Sequence, residues 1–190
     1  MVSSRVYALV TIVSLVILGC NPEAKLDKII EKELNTGIRN DSLFLGLKFG
    51  ITIPEFFDRC RELNKQGLVK EGSKNMSVEY IFEDSLGQPI AFNFYADRNA
   101  EGPIHRYYTS FNYYAFALNR HLYADRLIKK LPSILMDWYG GNKPFTVRRD
   151  GQLYLYKIDG NRMIELYVYD LSTVVATYYD LSKVNFREEQ

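Results

Sequence analysis

Few side chains in this sequence suit covalent or metal chemistry. Histidine occurs twice, as His105 and His121. The two fall at opposite ends of one predicted strand, and at about 3.3 Å per residue an extended chain separates them by tens of ångströms. Neither lies in a His-Glu-x-x-His or His-x-Glu pattern, and no cysteine pair is present to complete a zinc site, so no metal is expected. Cys60 beside either histidine would form a thiolate nucleophile. It falls instead on an apolar stripe with Phe56 and Leu63, where burial raises a thiol's pKa and leaves it inert. Asp159-Gly160-Asn161 matches part of a calcium loop, but Glu165 comes too early for the twelve-residue geometry, and the triplet reads as a hairpin turn. The carboxylate pairs Asp97 with Glu101 and Glu188 with Glu189 sit in loop or tail contexts with no apolar pocket to split their pKa values. A non-catalytic protein without a cofactor is the reading.

Tyrosine is the residue in excess, 15 of 190. It clusters as Tyr107-Tyr108, Tyr113-Tyr114, Tyr154 with Tyr156, Tyr167 with Tyr169, and Tyr178-Tyr179. A flat apolar ring with a hydroxyl suits protein hot spots and stacking against sugars. It also suits strands, where rings pack across neighbours and hydroxyls reach water.

One further cysteine stands in a different context. Met1 to Arg5 carry one basic side chain, Val6 to Leu18 are almost wholly apolar, and Ile17-Leu18-Gly19-Cys20 follows. The apolar run is shorter than the roughly 20 residues that span a bilayer, so it reads as a cleaved export signal over 1–19. Two aliphatic residues, a small residue and a cysteine resemble the lipobox of bacterial lipoproteins. That resemblance implies diacylglyceryl transfer to the Cys20 thiol, cleavage before it and acylation of the new amine. Asn21 is not the aspartate that resembles an inner-membrane retention signal, so the outer membrane is expected, facing periplasm or medium. Cys60 is then left without a disulfide partner.

Charge narrows the partners. The chain holds 24 basic and 23 acidic side chains, and losing Arg5 with the leader makes the two equal. An interspersed neutral surface argues against nucleic acid, which needs clustered Lys and Arg. It also argues against electrostatic membrane docking, leaving acyl chains as the anchor, each buried methylene contributing about 0.8 kcal/mol.

The elements that position these residues follow from spacing. Residues 20–40 read as a polar tether with a short helix striped by Leu26, Ile29, Ile30 and Leu34. Thr52-Ile53-Pro54-Glu55 forms a capping box that opens a helix near Ile53 to Gln66, stopped by Gly67. Val78, Tyr80 and Phe82, then Ile90, Phe92 and Phe94, alternate with polar residues as two strands, and Ile104 to Leu118 reads as a third. A second helix over Tyr123 to Tyr139 contains Pro132, which is expected to kink or split it. Strands near Gln152 to Ile158, Arg162 to Tyr169 and Thr173 to Leu181 follow, with tight turns at Asp150-Gly151 and Asp159-Gly160-Asn161.

The order helix, strand, strand, strand therefore occurs twice. It predicts an α+β fold, an antiparallel sheet with helices on one face. The repetition allows two tandem helix-plus-three-strand modules, over 41–118 and 119–184, with a tail at 185–190. Gly50-Ile51-Thr52, with Phe56 four residues beyond the threonine, resembles the Gly-x-Thr opening of small outer-membrane assembly lipoproteins. The element order is similar to the tandem modules of the β-lactamase inhibitor protein.

The expected function is a lipid-anchored envelope protein whose sheet face binds another protein. Either two-residue turn at Asp159-Gly160 or Gly160-Asn161 puts the aliphatic residues of the two flanking strands on one face. Tyr154, Tyr156, Tyr167 and Tyr169 then share the other with Met163 and Glu165, expected open or only partly covered, as the partner surface. A glycan-binding or glycan-handling surface lipoprotein is the alternative.

Overall fold

The computed structural model describes residues 22–72, 77–97, 102–114 and 118–187. Residues 1–19, read above as an export signal, Cys20 and the last three residues lie outside the described residues.

The Thr52 hydroxyl accepts from the Glu55 amide at 3.4 Å, and Glu55 accepts from the Thr52 amide at 2.7 Å. This reciprocal cap opens helix α2, Ile53–Lys65, after helix α1, Pro22–Asn35. Phe56, Cys60 and Leu63 form the buried face of α2. Helix α3, Ala124–Tyr139, buries Leu127, Leu131 and Leu135. It runs through Pro132 as one helix, so the expected split does not occur. The half-buried proline withholds one amide, while the buried leucines before and after it hold both turns on the sheet.

Eight strands make one antiparallel sheet: β1 Val69–Glu71, β2 Val78–Glu83, β3 Pro89–Ala96, β4 Arg106–Tyr113, β5 Phe145–Arg149, β6 Gln152–Asp159, β7 Arg162–Val168 and β8 Val174–Asp180. Their order is β1-β2-β3-β4-β8-β7-β6-β5. The fold is α+β, as expected. Each helix-led half contributes four strands rather than three, because the short edge strands β1 and β5 add to the predicted set. The halves join at β4 and β8, where Tyr107 pairs with Tyr178 and Thr109 with Ala176, so the sheet is continuous. The β5–β6 hairpin turns at Asp150-Gly151, both with positive φ (50° and 79°), as a two-residue primed turn requires.

One face of this sheet carries the main core. Phe92, Phe94, Tyr107, Phe111, Leu155, Ile164, Leu166, Ala176 and Tyr178 pack there beneath α2 and α3. Aromatic rings fill its centre: Phe44 lies edge-on to Phe92 at 4.6 Å and Trp138 to Phe82 at 5.2 Å. Helices do not lie on that face alone. The segment expected as a tether forms α1, whose Leu26 is 1% exposed among Val147, Tyr156, Ile158 and Met163 on the opposite face. Its apolar stripe is short, but both ends are fastened. Arg187 donates to Asp27 at 2.7 Å near the start, and the Gly160 amide donates to Glu33 at 3.1 Å near the end.

Candidate functional site

Strand register places the predicted tyrosines. Lys157 pairs with Ile164 and Asp159 with Arg162, so the turn is Gly160-Asn161 and Leu155 faces Leu166. Tyr156 then faces Glu165, and Tyr154 faces Tyr167, on the face away from α2 and α3. The expected sharing of one face by these residues is what the register shows. Among the tyrosines of the face expected open or only partly covered, Tyr156 is the exception. Tyr156 is fully buried beside α1 and Phe186, and Tyr154 and Tyr167 are half-buried; only Tyr169, 66% exposed, is open. The cause is α1 together with residues 184–186, which bring Leu26, Ile29, Val184 and Phe186 onto this end of the face.

Beneath that cover lies a polar cluster. The Tyr156 hydroxyl donates to Glu165 Oε2 at 2.6 Å, and the Arg149 guanidinium stands 3.8 Å from the same carboxylate and 4.2 Å from the Tyr154 ring centre. Burial pushes the Glu165 pKa above its ordinary value, against the opposing pull of the Tyr156 hydrogen bond and the Arg149 charge. The cluster ties β5, β6 and β7 together.

Following the pairing across the sheet shows what remains accessible. Tyr95, Tyr108, Thr177, Glu165 and Tyr156 form one cross-strand row. Glu79, Asn93, Ser110, Val175, Tyr167 and Tyr154 form the next. Toward β1 to β4 these rows are partly accessible: Tyr95 is exposed and Tyr108 half-buried, while Glu79 is buried. Tyr95 is 40% exposed and stacks on Tyr108 at 5.3 Å, and the Arg106 guanidinium lies 5.1 Å from the Tyr108 ring centre while pairing with Asp97. Asn93, Ser110 and Asn112 are half-buried around them. Tyr108 was among the clustered tyrosines of the sequence. Tyr95 was missed, although its place one residue past Phe94 in an alternating strand puts it on the polar face.

The groups suited to catalysis are arranged otherwise. His105 Nδ1 lies 3.1 Å from Asp180 Oδ2, but the Ser182 hydroxyl donates to Asp180 at 2.6 Å rather than to the histidine. The set therefore lacks the nucleophile-to-base contact of a triad. His105 precedes β4 and His121 is exposed in the 3₁₀ turn Arg120–Leu122, so neither lies at an end of the one strand that was expected to hold both. Cys60 is buried, and burial pushes its thiol pKa up to about 11. Lys157, wholly buried, spends its three protons on Gly140 O at 2.5 Å, Asn142 O at 2.8 Å and Asp159 Oδ2 at 2.8 Å, which makes it a structural peg. Asn161 likewise joins Asp41 and Asp180 and accepts from the Asn40 amide, pinning the segment before α2 to the β6–β7 turn. Among the described residues no three His, Cys, Asp or Glu side chains converge as a metal site, and no helix is long and apolar enough to cross a membrane.

The chain matches no protein-family model, no curated protein and no solved structure.

Proposed function

We propose that the chain is a non-catalytic envelope lipoprotein, held in the outer membrane through Cys20, that binds another protein with the open part of its tyrosine-bearing sheet face. The observation that carries this reading is the Tyr95–Tyr108 stack, Tyr95 exposed and Tyr108 half-buried, set among Asn93, Ser110 and Asn112 on a continuous sheet. Tyrosine supplies contact area at little entropic cost, while serine and asparagine supply adaptable hydrogen bonds; protein-binding surfaces of antibodies use the same mixture. The proposed contact set is Tyr95, Tyr108, Tyr167 and Tyr169 with the accessible edge of Tyr154. Tyr156 leaves the set because a fully buried ring reaches no partner.

The anchor and the surface are tested separately. Native protein should incorporate labelled palmitate and fractionate with membranes, and a Cys20→Ser variant that still takes up label removes the anchor. For the surface, a Tyr95→Ala, Tyr108→Ala double variant should keep its near-ultraviolet circular dichroism yet lose the protein captured by the native lipoprotein from crosslinked envelopes. Capture that is unchanged removes the surface, and binding confined to a glycan array favours the sugar-handling alternative.

A further inference from the structure

The neutral overall charge conceals a segregation along α1. At about 100° per residue, Lys25, Lys28 and Lys32 fall within a sector of about 60°. All three are exposed, and no ion pair engages them among the described residues. Of the four acidic side chains, Glu23 and Asp27 lie across the helix, where they face Arg187 at 4.0 and 2.7 Å; Glu33 lies toward the sheet, and Glu31 borders the lysine sector, about 60° from Lys28. Between the two sides runs the docked stripe of Leu26, Ile29 and Ile30.

Position gives this lysine stripe its meaning. Helix α1 begins at Pro22, two residues after Cys20, and two residues reach at most about 7 Å. The helix is not a swinging leash. Leu26 is buried in the sheet face, Arg187 clamps Asp27, and Glu33 accepts from the Gly160 amide. An acyl group on Cys20 would therefore hold the start of α1, with Lys25, close to the lipid; at about 1.5 Å per residue Lys28 and Lys32 stand about 5 and 11 Å further along the axis, and all three come inside the roughly 8 Å over which surface charge acts at physiological salt when the helix lies along the surface.

We propose that α1 lies along an anionic lipid surface with Lys25, Lys28 and Lys32 against the headgroups, so that the domain rests flush on the membrane in one orientation. This rests on the reading of Cys20 as the lipid attachment site. The acyl chains supply the anchor, the lysines set the roll of the helix, and the tyrosine face beside α1 is held at a fixed height above the bilayer.

The test uses the full lipidated protein in vesicles of phosphatidylcholine, with or without phosphatidylglycerol, containing a lipid with a nitroxide on its headgroup. A fluorophore is attached through Asn35→Cys, at the far end of α1 beside the lysine sector; the buried Cys60 does not compete for the label. Quenching several-fold stronger in the anionic vesicles supports the proposal. So does its fall to the phosphatidylcholine level when the three lysines become glutamine, together with its retention when they become arginine. Equal quenching in both vesicles, or a glutamine variant that quenches like the parent, overturns the flush orientation. If the acyl label is present in those cases, the anchor stands. Absence of acyl label on the parent protein overturns the anchor and this proposal together.

Discussion

Tyr156 donates its hydroxyl to Glu165 across the β6–β7 pair at 2.6 Å, with both side chains buried beside α1. This contact converts a predicted binding surface into core at its centre. A buried tyrosine cut to alanine costs about 3–5 kcal/mol, as for other large aromatic truncations. Tyr156→Ala should therefore lower the urea midpoint severely, whereas Tyr169→Ala, at an exposed position, should shift stability by no more than about 0.5 kcal/mol. Equal midpoints for the two variants would contradict this division of the tyrosine face.

Glu165 makes stability depend on pH. Burial raises its pKa in the folded state above the ordinary value of 4.5. The folded protein therefore holds a proton that the unfolded chain has released, so the contribution is fully present below pH 4.5 and declines as pH rises through the folded pKa. Glu165→Gln keeps an acceptor for Tyr156 and removes the titration. In urea melts from pH 4 to 8, the variant's advantage over the parent should grow with pH above 4.5; an advantage that shrinks would show that the sign is wrong.

The cap of α2 offers a local test. Thr52→Ala removes the hydroxyl that accepts from the Glu55 amide and should cost about 1 kcal/mol, within the roughly 0.5–2 seen for such caps. Thr52→Ser keeps the oxygen and should stay near the parent. Coincident denaturation midpoints for alanine and serine would remove the cap from the account.

Gly160 fixes the approach of the chain before α2. Its φ is +56°, and a side-chain carbon there would lie 2.2 Å from the Ile38 carbonyl oxygen. The conformation alone costs a non-glycine residue about 1–3 kcal/mol, and the collision with backbone adds to it. Gly160→Ala should destabilise by at least that amount and loosen the 38–42 segment, read as faster amide exchange at Asn40. An unchanged exchange rate would place that segment's support elsewhere.

Much of the fold was legible because the signals were local. The Thr52 and Glu55 spacing located α2, period-two alternation located β2 and β3 and the parity of β6 and β7, and an uninterrupted aromatic run and the tight-turn signals located β4, β6, β7 and β8. The two edge strands were not legible. Val69–Glu71 and Phe145–Arg149 are short, and their strand character comes from pairing with β2 and β6 rather than from their own pattern. The cover over Tyr156 was hidden for a related reason. Leu26, Ile29 and Ile30 read as a weak stripe in a charged segment, and nothing local says that such a stripe lands on an aromatic strand face more than a hundred residues away. The choice between aliphatic and tyrosine faces was correct; a helix on each face was the possibility that periodicity within β6 and β7 does not encode. The open Tyr95–Tyr108 stack was half legible, since each ring's face follows from alternation but their contact requires the β3–β4 register.

The proposed partner meets the accessible part of the tyrosine-bearing sheet face and not the helix side. Photo-crosslinking in intact envelopes tests it most directly, with a benzophenone side chain replacing Tyr108, Tyr169 or, on the exposed side of α3, Ser133. One adduct of the same partner mass is expected at Tyr108 and Tyr169, absent at Ser133 and lost when Tyr95 is alanine. Adducts at Ser133 of equal yield, or none at the two tyrosine positions in protein that is folded and membrane-bound, would contradict it.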